Sequence, residues 1–238
     1  MVQKITQLLS INNASYFFWL AGLTVFVVIL VASVTHKMFM KFTTEHAYMG
    51  GFIKFFILAT MGELLAIRIV TSDWNIPKGL LYRAFVWGLL GMVIVLIFSV
   101  FAAGIAGALA NGFLPGGNSK FAFAFFVSFI MNLSFAPTMM AFHRITDTFI
   151  DLKYENKEGK VTLSDVVKRI DWDGFISFVI MKTIPIFWIP AHTITFLLPP
   201  EYRVLSAAFL SIALGAILAF AKKKSGQPNR INREGVPG

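Results

Sequence analysis

The sequence predicts an all-α fold: a polytopic membrane helix bundle of about six transmembrane helices, with both termini on the cytoplasmic side. Three observations predict it. Of 238 residues, 57% are hydrophobic and 14% charged, with mean hydropathy +0.72, whereas a soluble domain carries ~25% charged residues. The apolar residues also fall in six long runs, each reaching the ~20 residues that a spanning helix requires. Only helices and closed barrels satisfy their backbone inside a bilayer, and these runs are too long for barrel strands. Third, the net charge of +9 is unevenly placed. With the N-terminus on side A of six spans, that side holds twelve bases: Lys4, Lys78, Lys153, Lys157, Lys160, Lys168, Arg169, Lys222, Lys223, Lys224, Arg230 and Arg233. Side B holds three, Lys37, Lys41 and Lys120. Lysine and arginine collect on the cytoplasmic side, so the asymmetry fits an even number of spans. It reads the basic charge as topology and not as nucleic-acid binding.

The runs are Ala14–Thr35, Ala47–Val70, Gly79–Ala110, Phe121–Ile150, Gly174–Leu198 and Tyr202–Ala221. The first is free of charge and opens on Tyr16 and Trp19, residues suited to the interface. The first run is long and lacks a small-residue cleavage pattern, so no cleavable signal peptide is expected. The polar loop 151–173 mixes signs, and its residues 161–170 fit a short amphipathic helix on the membrane surface. Residues 1–221 therefore read as a single transmembrane domain, and 222–238 as a basic, disordered tail whose lysines anchor the last helix at anionic headgroups. Ser99, Ala103 and Gly107 form a small-residue ridge, as do Ser211, Gly215 and Ala219. Such ridges let helix backbones approach closely, within one chain or between copies in a homo-oligomer.

Polar residues inside the runs are the functional candidates, because ionisable groups in a bilayer face protein or water. The fourth run carries Asn132, Pro137, His143, Arg144 and Asp147. His143 and Arg144 lie four and three positions before Asp147, so both can meet it on a helix surface. Glu63 and Arg68 are five apart, about 140° round a helix, so each needs a partner elsewhere. Lys54 and Arg83 are close enough to run ends to snorkel. Lys182 lies deeper and calls for a carboxylate such as Asp147 or Glu63. His192 and Arg203 complete the set, while Pro137, Pro185 and Pro190 remove backbone donors and shape their helices.

The chain has no cysteine, which excludes thiolate metal sites, disulfides and cysteine nucleophiles. There is no H-E-x-x-H, G-x-S-x-G, phosphate-binding glycine loop or dinucleotide fingerprint. The expectation is a protein that is not an enzyme, with no metal and no cofactor, whose partners are the lipid bilayer and further copies of itself.

Two patches carry a resemblance. Phe135-Ala136-Pro137, His143-Arg144, Asp147 and Phe149-Ile150 form the first. The second is Ile189-Pro190-Ala191, Phe196, Pro199 or Pro200, and Tyr202-Arg203. Together with Gly62-Glu63 they resemble the Mpv/PMP family of small multi-span peroxisomal and mitochondrial inner-membrane proteins. Ile189 stands for that family's tryptophan and Ala136 for its glycine. The resemblance covers Tyr48 to Lys224 and leaves the first run as an addition. It implies a multi-span fold and a weakly selective pore for ions or small metabolites.

The functional expectation is a channel-like or transport protein, with a polar path through the second, fourth and fifth runs. The alternative is a non-transporting scaffold whose buried charges are internally paired. The expected location is a bacterial inner membrane, or an organelle's inner membrane in a eukaryote.

Overall fold

The computed structural model describes residues 17, 19–71, 73–156 and 159–224, with side chains to 217. Among these residues there is no strand. The helices are α1 (Trp19–Val31) and α2 (Ser33–Glu45), then α3 (Ala47–Thr71), α4 (Leu80–Ala110), α5 (Lys120–Glu155) and α6 (Leu163–Arg169). Next come α7 (Trp172–Leu197) and α8 (Pro200–Lys224). Four of them, α4, α5, α7 and α8, are long and apolar enough to cross a membrane, and the α1–α2 pair qualifies together as a fifth, bent span. Tyr16, Lys4, Lys157 and the tail beyond 224 lie outside the described residues.

The first run departs from expectation. Ala32 is extended (φ −69°, ψ 124°), and the chain turns there by 86°. Residues 33–35, assigned by the sequence to the first span, therefore start a separate helix. α2 turns Thr43 inward while Val34, Met38 and Phe42 stay exposed. The Tyr202 hydroxyl bonds His36 at 3.1 Å and ties α2 to α8. Trp19 does not face solvent alone: its indole donates to the Met61 carbonyl at 3.0 Å.

α3 is the central helix, packed against α4 on one side and α8 on the other. Glycine makes both contacts possible. A Cβ on Gly51 would lie 2.7 Å from the Gly91 carbonyl oxygen, so α3 and α4 cross backbone to backbone. A Cβ on Gly62 would lie 3.0 Å from the Ile212 Cα of α8, and Gly215 sits against the Gly62 carbonyl. The 211–215 ridge is thus an internal seam. The ridge on α4 is not: Ala103 and Gly107 are exposed, and a Cβ on Gly107 would meet nothing within 4 Å.

α5 packs against α4 and the second half of α7. Ser119 caps its start by accepting from the Ala122 amide at 3.2 Å. In α7 residues 175–188 wind as a π-helix, with the Ile189 amide donating to the Ile184 carbonyl. The wider winding contains Pro185, a residue with no amide to donate. The short surface helix foreseen over 161–170 is α6. Thr162 and Asp165 close a capping box at its start, and Val166 is fully buried on its inner face.

Candidate functional site

The polar residues gather at two levels inside the bundle. The first is the side-A end, where α3, α4 and α5 meet. Gly79 precedes α4 with φ 73°, and a Cβ there would come within 2.7 Å of the Tyr154 ring. This close approach brings the first turn of α4 against the last turns of α5. Arg83, one turn on, is 1% exposed. Its guanidinium lies 3.6 Å from Glu63 and 3.3 Å from Asp147, and it bonds Asp151 directly. His143 reaches Asp147 at 3.5 Å and lies under the Trp87 ring, 4.1 Å between centroids. Both Glu63 carboxylate oxygens and the His143 Nε2 are buried without a hydrogen-bond partner. One guanidinium thus faces three carboxylates.

The second level lies deeper. Asn132 is fully buried and its amide reaches Nδ1 of His192 at 3.1 Å. It also donates to the Ser128 carbonyl at 2.8 Å. The Ser128 hydroxyl in turn donates to the Ile189 carbonyl at 2.7 Å, which Thr193 also bonds. α5 and α7 are thereby joined by a polar ladder rather than by apolar contact alone. His192 rests on Trp188 (5.1 Å) and Phe98 (5.7 Å).

A cavity of about 250 Å³ connects the two levels, running from Glu63, His143 and Asp147 to Asn132, His192 and Phe98. A second cavity, about 590 Å³, lies at the side-B end under α2 and is lined by Thr43, Lys54, Ser99, Arg203 and again Phe98. The Phe98 ring, packed on Phe196 at 4.9 Å, forms a wall of both.

The expected residues divide accordingly. Glu63, Asn132, His143, Arg144, Asp147 and His192 line the first cavity, and Arg203 the second. Arg144 does not close on Asp147: among the described residues no ion pair within 4 Å holds it, although the charges of Asp147, Asp171 and Asp151 act on it. Arg68 does not pair with Glu63, as the spacing requires, and it lines neither cavity. Lys182 corrects the expectation of a path residue. It is exposed on the outer face of α7, and the partner foreseen for it, Asp147 or Glu63, belongs to Arg83. Pro185 and Pro190 are exposed, and neither lines a cavity. Arg83 and Lys54 do not snorkel; at 1% and 2% exposed they are the largest fully buried side chains. Their signal was their charge inside an apolar run, but not the face each would take. Among the described residues no group of three or more His, Asp or Glu side chains could hold a metal ion.

Comparison with family models, curated proteins and solved structures finds no match.

Proposed function

We propose that this chain is a six-span membrane protein that passes an ion or small solute through the bundle, as a channel or a transporter and not as an enzyme. The observation that carries the reading is that Phe98 lines cavities reaching in from both ends. An apolar ring between two cavities that each carry charged or polar residues at their far ends is the form of a closed hydrophobic constriction. α3, α4, α5, α7 and α8 cross the bilayer in this reading, and the bent α1–α2 pair makes the sixth span. α2, turned 86° from α1, brings Lys37 and Lys41 to the interface beside its exposed apolar stripe. α3 has 25 residues, which at 1.5 Å each give roughly 37 Å, enough to span. The basic side A faces the cytoplasm, in a bacterial inner membrane or an organelle's inner membrane. Distant kinship with the Mpv/PMP family is part of the proposal. Its support is that Glu63 and Asp147, from two of the matching patches, meet on one guanidinium.

The test is flux into liposomes containing the purified protein, with a panel of ions and small solutes. Phe98→Ala is expected to raise flux above that of the parent. Parent and variant both sealed to the whole panel, while folded, would sink the reading.

The ion pairs of Arg83 favour a second reading, a scaffold whose buried charges are locked together. It expects the sealed result just described.

A further inference from the structure

The cavity under α2 is bordered by an ammonium and a hydroxyl, Lys54 and Thr43, for which no described residue supplies a hydrogen bond. Lys54 is 2% exposed. Among the described residues its ammonium has no hydrogen-bond or ion-pair partner, and it lies 4.9 Å from the centre of the Phe39 ring. The Thr43 hydroxyl is buried and has no hydrogen-bond partner either. The two converge. A Cβ built on Gly50 would be 3.8 Å from the Lys54 Nζ and 3.8 Å from the Thr43 Oγ1, so both border one spot beside the α3 backbone. Both residues line the 590 Å³ cavity.

The other charged groups of this cavity are less enclosed than Lys54. The Arg203 guanidinium donates to the Leu198 carbonyl at 3.0 Å and covers the Phe123 and Phe196 rings at 5.6 and 5.3 Å. Glu201 lines the same space and is the carboxylate whose charge acts on Arg203. The fully buried charge among the three is therefore that of Lys54. An ammonium held inside the bundle with no carboxylate beside it is costly, and an anion entering the cavity it faces lowers that cost. The remaining wall includes Met40, Val95, Phe98, Ala102 and Val204. That apolar surface, in a volume within the usual range of small-molecule sites, suits an organic body better than a bare ion.

We propose that the cavity beneath α2 binds a small organic carboxylate, its charged end held by the Lys54 ammonium and the Thr43 hydroxyl and its apolar body lying against Phe98 and Val95. The proposal is independent of transport, because it asks only for binding in one cavity.

The experiment measures the melting temperature of the full-length chain in detergent at low ionic strength. Three probes are titrated: sodium butyrate, the uncharged butyramide of the same shape, and sodium chloride. Butyrate is expected to raise the melting temperature in proportion to the logarithm of its concentration above its Kd, reaching about 5 °C at a hundredfold excess. Butyramide has no effect, and chloride gives a clearly smaller rise. Lys54→Met abolishes the butyrate shift and Thr43→Val reduces it. Lys41→Met, which removes an exposed charge of α2 that does not line the cavity, leaves it intact. A butyrate shift that survives Lys54→Met, or is matched by butyramide, overturns the site. A shift equal to that of chloride overturns its assignment to a carboxylate. Lys54→Met is expected to fold at least as well as the parent, so loss of binding is not confused with loss of structure.

Discussion

Arg83 and Lys54 are both cations sealed inside the same bundle, and their surroundings are opposite. Arg83 sits among Glu63, Asp147 and Asp151, whereas Lys54 has a phenylalanine ring and an empty space. The first is a joint, pinning α3, α4 and α5 to one another. The second does no comparable joining, and its place in the core is accounted for by something it receives. Burial of a charge therefore does not by itself tell structure from function; the presence or absence of a protein partner does.

The largest effect should come from the joint. Arg83→Met leaves three carboxylates facing one another in a buried place, and the expected loss is about 3–5 kcal/mol, read by thermal or denaturant unfolding in detergent. A second substitution, Asp147→Asn, should recover part of it by lowering the repulsion. Lys54→Met has the opposite sign, neutral to stabilising by roughly 1–3 kcal/mol when no anion is present, because an unpaired buried charge disappears. If both variants lose stability alike, the contrast between the two sites is wrong. Asn132→Leu should cost about 1 kcal/mol, since interhelical hydrogen bonds in a bilayer average ~0.6 kcal/mol and His192 would also lose its partner.

The smallest effect lies outside the membrane core. Thr162→Ala removes the α6 cap, at about 1 kcal/mol of local helix stability. The Thr162 hydroxyl and amide hold the Asp165 carboxyl below its ordinary pKa. A carboxylate with a depressed folded pKa contributes above its unfolded value and stops contributing as pH falls through the folded one. Backbone chemical shifts of α6 should therefore stay native at neutral pH and move toward coil only below the usual carboxylate range. Early movement, near pH 6, would assign the change to another group.

Much of the architecture was legible because apolar length is a one-dimensional signal. α4 begins one residue after the run drawn from Gly79 and ends on the same Ala110. α6 was legible for another reason, an amphipathic pattern; the capping box at its start was seen only in the structure. Orientation about each helix axis was not legible. α4 and α7 are apolar nearly all round, so no stripe says which way Arg83 or Lys182 turns; one became the centre of the bundle and the other faces out. The bend at Ala32 was hidden likewise, since neither glycine nor proline marks it and the flanking residues continue the apolar run. His143, Asp147 and Asn132 were found because they share a helix with one another, a relation that spacing does encode. Arg83 was reachable only through contacts between helices.

The crossing of α3 and α4 has a genetic consequence. Gly51 and Gly91 each face the other's backbone with no room for a carbon. Every single-base change in a glycine codon that alters the amino acid installs at least a Cβ or ends the chain. These two codons, neither of which encodes a charge, a donor or a cavity wall, therefore tolerate no missense change without separating the helices that carry Arg83 and Lys54.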